Sequence, residues 1–577
     1  MIDFPGTVPY QSLAELVDDA ARKFGDAPLW ISIDDGTRIS HADFAELTVR
    51  CAEALRARGV TFGTHVAVML PAVPAYPIVW LALARIGAVM VPVNMGYKSA
   101  DLEYVLRDSD ASWLVIDEAA VPAFESIATK DQIVEPANVI VHRRGEDFVE
   151  AVRAPRDRHG STLVEPRDDG VGRHPCEDDA TRHPRGDDTT RHPGGDDTTR
   201  HPRVGGGPVA GFLDSRLRGN DVGPDTLMSI QYTSGSTGFP KGCMLTQDYW
   251  LVLGLVRAHQ GPPPKRLLID KPMSYMGGMW RFLVALYLGS AAVVARKFSL
   301  STLQDRLVEW EIDYFGATDA VAKLPDHPGL AKLKMAWISI AGLSKNLHET
   351  LERKLHAPVR ELYGLTETGS TLYMPTGAAH MVGSGSCGVP APFRACRIVG
   401  PKGQDVARGE VGELWVSGRA ILQGYYNKPE ATREAFVGEW FRTGDLFRQD
   451  EHGYFYIQGR IKDSIRRSGE NISAREIETI ASGIPGVFET AAVAVKDELR
   501  GEEVKLCLVL QPGYTREQVT PEAVAAFCAE RLAAFKVPRY VAYIDDMPRT
   551  SSNKIAKTEL VQPEGQVVFD RVKKVWL

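Results

Sequence analysis

The sequence predicts an α/β protein: a large N-terminal part built of parallel sheets with flanking helices, then a small α+β unit at the C-terminus. Three observations predict it. Helix-like and strand-like segments alternate from residue 12 to residue 117, the pattern of strands joined through covering helices. A glycine-rich, hydroxyl-rich stretch, YTSGSTGFPKG at 232–242, directly follows a strand-like run. After residue 462 the texture tightens into a compact unit of about 115 residues.

The elements follow in order. SLAELVDDAARKFG begins with Ser12 and Glu15 as a capping box, carries Leu13, Leu16, Val17, Ala20, Ala21 and Phe24 at helical spacing, and closes on Gly25. VAVMLP is a buried strand, AYPIVWLALARIG a helix and AVMVPVN a second strand; SADLEYVLRDSDASWLVID repeats helix then strand. Leu227, Ile230 and Tyr232 mark the strand entering the glycine-rich loop. Beyond 462, Ser473 and Glu476 form another capping box, TAAVAVKD and KLCLVLQP are strands, Thr520-Pro521 starts a helix and RYVAYID is the last strand.

A chain of 577 residues has room for two to four domains. With 44% hydrophobic and 24% charged residues it has an ordinary globular composition, and a net charge of −7 speaks against nucleic acid or an anionic membrane as partner. The seven cysteines (51, 176, 243, 387, 396, 507 and 528) never form C-x-x-C, which fits a reducing compartment. MIDFPGTVPY has no signal-peptide character, and the longest apolar stretch is interrupted by Arg85, so a cytoplasmic protein without a membrane span is expected.

Residues 145–225 break the alternation. Arg-His-Pro recurs every nine residues with His174, His183, His192 and His201 in equivalent places, followed by paired acids and almost nothing apolar. Such a segment cannot bury enough surface to offset its ordering entropy and reads as a disordered insertion; metal binding by the histidines is the alternative. GFLDSRLRGND at 211–221 resembles a translated genomic repeat.

The loop at 232–242 departs from the G-x-x-x-x-G-K-[ST] nucleotide loop: its spacing is Gly235, Gly238, Lys241, and Gly242 stands where a hydroxyl residue would be needed. By itself it is either an anion cradle or a flexible turn. Five further stretches stand in fixed order after it: ELYGLTETGS, GELWVSG, EWFRTGDL, GRIKDSIRRSGENISAREIE and PRTSSNKIAK. With these six the chain resembles the acyl-adenylate-forming enzymes, which include acyl-CoA synthetases, luciferases and peptide-synthetase adenylation domains. The resemblance covers the whole chain outside the insertion. It implies an adenylating domain over 1–461, with a small β subdomain, and a mobile domain over 462–577.

It also implies ATP, Mg²⁺ and CoA as partners of a small carboxylic acid. Thr233, Ser234, Gly235, Ser236, Thr237, Gly238 and Lys241 match a mobile clamp for the leaving pyrophosphate. Tyr363 and Gly364 match the adenine platform, Thr366 a hydroxyl near phosphate, and Glu367 the oxygen ligand of Mg²⁺. On its own Tyr363 reads as a core aromatic. Ala341 and Gly342, in AGLS, match the adenine-pocket backbone in a shortened form. Asp445 matches the carboxylate for the ribose hydroxyls, Arg460 the ribose and phosphate contact, and Lys462 the hinge. Ser468, Gly469 and Glu470 match the loop facing the site when the thiol attacks, and Lys554 the lysine on the carboxylate and α-phosphate. Asn553 replaces the usual glycine beside it; asparagine tolerates left-handed backbone.

DKPMSYMGGMW at 270–280 corresponds to the wall of the acyl pocket. It lacks the aspartate with which amino-acid-activating relatives hold an ammonium, which implies a plain carboxylic acid. Trp250, Tyr275, Met276 and Trp280 are expected to line the pocket, with Gly277 and Gly278 leaving room. The three aromatics could form a wall, a cage for a quaternary ammonium, or simply core. The expected reaction is acyl-AMP formation followed by attack of CoA thiol; a carrier protein acting in trans, or a degenerate ATP-binding homologue, are the alternatives. Oligomeric state is open.

Overall fold

The computed structural model describes residue 4 and residues 6–153, 222–233, 240–332, 336–338, 343, 345–461, 464–467, 470–498, 500–549, 555–561 and 566–577. The expectations for Ser234, Gly235, Ser236, Thr237, Gly238, Ala341, Gly342, Lys462, Ser468, Gly469, Asn553 and Lys554, and for the histidine repeats, lie outside these residues.

The alternation expected in the N-terminal half is present. Ser12 caps the Leu13–Phe24 helix, its Oγ accepting from the amide of Glu15 at 3.2 Å, while the Glu15 carboxylate accepts from the amide of Gln11 at 2.7 Å. A six-stranded sheet runs in the order Val139–His142, Trp113–Asp117, His65–Met69, Val89–Pro92, Leu227–Thr233, Lys241–Thr246, and only the last pairing is antiparallel. A second sheet sets Pro28–Ser32, Ala291–Val294 and Arg266–Ile269 parallel, with Arg38–Ser40 antiparallel at its edge. Between them the Ala75–Ile86, Gln247–Ala258 and Met276–Leu288 helices are buried on nearly every side, as helices apolar all round must be.

A third sheet starts parallel, with Gly316–Ala317, Ala336–Ile338 and Val359–Leu365, and turns antiparallel through Gly369–Tyr373 and Val389–Pro390. An antiparallel β unit of Arg394–Val399, Val411–Gly418, Trp440–Gln449, Phe436–Val437 and Phe455–Arg460 follows. The C-terminal sheet has seven strands, including the long Val487–Asp497 and Gly501–Leu510 pair. Here Ser473 caps Ala474–Ala481, and Pro521 is the first residue of Pro521–Ala529. Among the described residues no disulfide is formed. No described helix is long and apolar enough to cross a membrane.

Two expectations need correction. Order extends past residue 145: Phe148–Arg153 is a helix, because Phe148, Val149 and Val152 are buried, and Glu150 pairs with Arg50 at 2.8 Å. Trp250 lines no acyl pocket. Its side chain is fully buried, its indole N–H donates to Ser229 Oγ at 2.9 Å, and it meets Trp80 and Tyr249 edge-on at ring distances of 5.1 and 5.6 Å. Trp250→Ala therefore lowers stability by about 3–5 kcal/mol, read as a lower urea midpoint, with no change in which acid the protein uses.

Candidate active site

The candidate residues gather where strands of the sheets end and the β unit closes over them, the usual position of ligand sites in open α/β sheets. The Val359–Leu365 strand delivers Tyr363, then turns through Thr366 and Glu367 into Gly369–Tyr373. That reversal demands glycine at 364: a Cβ there would lie 2.1 Å from the carbonyl oxygen of Gly369. Gly369 itself has φ +62°, a left-handed conformation that glycine adopts without penalty. Tyr249 fixes the turn by donating its hydroxyl to the carbonyl of Thr366 at 2.7 Å.

Asp445 sits on Trp440–Gln449 directly opposite Arg460 on Phe455–Arg460. The Arg460 Nε lies 2.7 Å from one carboxylate oxygen of Asp445, and the Tyr363 hydroxyl donates to the other at 2.6 Å. Asp445 is buried, whereas the Arg460 side chain is about half exposed, 46%. The Thr-Gly-Asp tripeptide is not the surface turn its composition suggests. It is an irregularity inside a strand, with Gly444 at φ +70° and the Asp445 amide donating to Thr443 Oγ1 at 3.1 Å. The Tyr363 ring lies edge-on to Phe447 at 4.9 Å and belongs to the core of the β unit. Little of it is open to a nucleotide base in this arrangement.

Lys241 and Glu367 approach each other through a residue that the sequence did not single out. The Lys241 Nζ stands 4.9 Å from the ring centre of Tyr425, and the Tyr425 hydroxyl donates to Glu367 Oε1 at 3.0 Å. Backbone bonds hold Tyr425 there: Tyr426 N to Gly242 O at 2.8 Å, Met244 N to Gly424 O at 3.0 Å, and Leu422 N to Glu367 O at 2.8 Å. Burial pushes the Glu367 carboxyl above the usual range, while the Tyr425 hydroxyl and the Arg460 charge pull it down and Asp445 pushes it up. The two groups of charges therefore act on one another. As a donor set this suits magnesium, which takes one or two carboxylates plus phosphate oxygens. Among the described residues no group of three or more His, Cys, Asp or Glu is placed to hold a metal by itself.

Glu413, in GELWVSG, was also missed as a positioning residue. It accepts from Trp415 Nε1 at 2.9 Å, Arg442 Nε at 3.1 Å and the amide of Gly444 at 3.1 Å, and so fixes the bend that carries Asp445. Its signal was the acid inside an otherwise apolar strand. Tyr425 gave none, since its neighbour Tyr426 looks the same and instead binds Asp110 at 2.9 Å.

The expected acyl wall is the start of the Met276–Leu288 helix. Ser274 O accepts from Gln231 Nε2 at 2.7 Å, and Tyr275 Oη accepts from Asn94 Nδ2 at 2.6 Å. Met276 is half-buried. Beside Gly278 the space is filled by backbone, contrary to expectation, and beside Gly277 it is bordered by the end of an arginine. A Cβ on Gly278 would meet Met273 Cα and Pro272 O at 2.9 Å, and one on Gly277 would meet Arg281 Nη1 at 3.1 Å. Trp280 is no cage for a cation either, because the Arg257 and Arg281 guanidiniums already stand 4.9 and 4.4 Å from its ring centre.

Comparison with known proteins gives a consistent picture. The family profile AMP-binding enzyme matches residues 17–426, and AMP-binding enzyme C-terminal domain matches residues 476–554. The chain is 27% identical over 541 residues to the fatty acid–acyl-carrier-protein ligase ScoC of Streptomyces coeruleorubidus, covering 91% of this chain and 92% of the relative. It is 27% identical over 539 residues to the long-chain-fatty-acid–CoA ligase FadD13 of Mycobacterium tuberculosis, with the same 91% and 92% coverage. The crystal structure of ATP-bound MatB from Rhodopseudomonas palustris superposes with a TM-score of 0.75 at 24% identity, over 95% of this chain and 98% of that one; at that identity the likeness is one of fold.

The Glu367–Tyr425 bond carries a pH prediction. The Tyr425 hydroxyl favours the ionised form of Glu367. Tyr425→Phe removes that bond, so the Glu367 pKa rises and its carboxyl titration, followed by NMR, moves to higher pH.

Proposed function

The chain belongs to the AMP-binding enzyme family and is an acid–thiol ligase that works through an acyl-adenylate; on that premise we propose that CoA is its thiol acceptor and that it acts in the cytoplasm. CoA as acceptor is favoured by the CoA ligases among the relatives, and the adenylation step by the pair of charge groups around Glu367 and Asp445, one beside Lys241 and the other paired with Arg460. ATP brings four negative charges, and attack on its α-phosphate by a second anion requires fixed positive charge and in-line placement.

Each residue has a task in this scheme. Asp445 accepts the ribose hydroxyls, in exchange for the tyrosine hydroxyl it now holds. Arg460 moves with it and faces ribose and phosphate. Tyr363 and Gly364, with Ala341 and Gly342, form the adenine pocket. Thr233, the hydroxyls and glycines of 234–238 and Lys241 clamp the pyrophosphate that leaves. Glu367, with Thr366 beside the phosphates, would hold magnesium, which would supply neutralising charge there. Lys554 bridges the substrate carboxylate and the α-phosphate in the first step. The 462–577 domain then turns about Lys462 and brings Ser468, Gly469 and Glu470 to the site. The carboxylate oxygen attacks phosphorus and pyrophosphate departs; the thiol sulfur then attacks the acyl carbon, its proton is lost and AMP leaves. No side-chain nucleophile takes part.

A carrier protein acting in trans is the second reading, favoured by the carrier-protein ligase among the relatives. Pyrophosphate release from ATP with a panel of carboxylic acids, with and without CoA, separates the two. CoA-stimulated turnover is the expected result, and Glu367→Gln lowers kcat by about 100- to 1,000-fold. Acyl-adenylate that accumulates and is not discharged by CoA contradicts the proposed acceptor.

A further inference from the structure

The Ser99–Asp108 helix lies beside the two strands that flank the glycine-rich stretch, Leu227–Thr233 leading in and Lys241–Thr246 leading out. It holds both sides of that stretch. On the way in, the Tyr232 hydroxyl donates to Asp108 Oδ2 at 2.8 Å. On the way out, the Tyr104 hydroxyl donates at 2.8 Å to the carbonyl of Pro240, the residue before Lys241. The two rings meet edge-on at 6.3 Å. The strands themselves are paired, with Tyr232 opposite Gly242 and Thr233 opposite Lys241. Gly242 makes room for this packing: a Cβ there would stand 3.2 Å from Tyr232 Cζ and 2.5 Å from Ile230 Cγ2. The glycine found where a nucleotide loop would need a hydroxyl residue thus has a steric reason.

The helix end is anchored in turn. The Asp108 side chain is 9% exposed, and its other oxygen pairs with Lys428 Nζ. The Asp108 carbonyl accepts from Asn427 Nδ2 at 3.2 Å, and the Tyr426 hydroxyl donates to Asp110 Oδ2 at 2.9 Å. Those residues continue the segment that carries Tyr425, which bonds the outgoing strand through Tyr426 N and Gly242 O. Helix end, both strands and the Tyr425 segment therefore close a ring of bonds around Lys241, whose Nζ stands over the Tyr425 ring. Burial, then the Asp108 carboxylate, push the Tyr232 hydroxyl well above its ordinary pKa, so it stays a donor. A lysine is a point charge on a flexible stem; it meets a phosphate in a fixed place only if its backbone is fixed first.

We propose, resting on the reading of Lys241 as part of the clamp for the leaving pyrophosphate, that Tyr104, Asp108 and Tyr232 are positioning residues for that clamp. They hold the backbone on both sides of the glycine-rich stretch, so that Lys241 is presented to the two phosphates that depart. Their action runs through backbone and through Lys241.

The test is equilibrium binding of ATP with Mg²⁺, and of AMP, to the full chain and to Tyr104→Phe, Tyr232→Phe and the double variant. Each substitution keeps the ring and removes one hydroxyl. AMP lacks the two phosphates that Lys241 would meet, so its binding reports the rest of the site and the folded state. In the expected result the Kd for ATP rises about five- to tenfold in each single variant and further in the double variant, while the Kd for AMP stays within about twofold. Equal weakening of ATP and AMP, or no change in ATP affinity in variants that still bind AMP, overturns the proposal and leaves the ligase reading intact. A wild-type protein that binds ATP no more tightly than AMP overturns the clamp reading and the proposal with it.

Discussion

The pairing of Asp445 with Arg460 is the interaction on which the rest of this site depends. Two adjacent antiparallel strands hold the residues in direct register, so backbone hydrogen bonds rather than flexible side chains fix their separation. A buried carboxylate is costly unless its charge is met and its oxygens are bonded. Here Arg460 meets the charge, and the Tyr363 hydroxyl, arriving from a different sheet, satisfies the second oxygen. One carboxylate thereby ties the adenine-side turn, the β unit and the last strand before the C-terminal sheet to a single point. Glu413 supports it from below through the Gly444 amide.

The same economy links that point to the second charge group. Glu367 feels both Arg460 and Asp445, and reaches Lys241 through Tyr425. The 422–426 segment makes this possible by pairing with the strand that follows the glycine-rich loop. Neither group is assembled from one stretch of chain. Each needs the β unit seated on the parallel sheets, so the fold and the preorganised charge form together.

Much of this was legible in the sequence, for physical reasons that can be named. Helix starts at Ser12, Ser473 and Thr520 were readable because capping is local chemistry. Glu367, Asp445 and Arg460 were singled out through the resemblance of their motifs, and the structure sets Asp445 against Arg460. Tyr425 and Glu413 were not, since their roles come from partners distant in sequence. Trp250 was misassigned because helical spacing does not say which neighbours face an aromatic ring; here they are Trp80, Tyr249 and Ser229. The glycines at 277 and 278 looked like open space, and the structure fills that space with the Pro272–Met273 backbone beside Gly278 and borders it with Arg281 beside Gly277.

Equilibrium binding of ATP to the full chain and to Asp445→Asn tests the central claim most directly, with thermal unfolding of both as the control. If the Asp445–Arg460 pair organises the nucleotide site, the substitution weakens ATP binding by about tenfold or more while the protein remains folded. Undiminished affinity in a folded Asp445→Asn protein would contradict the account.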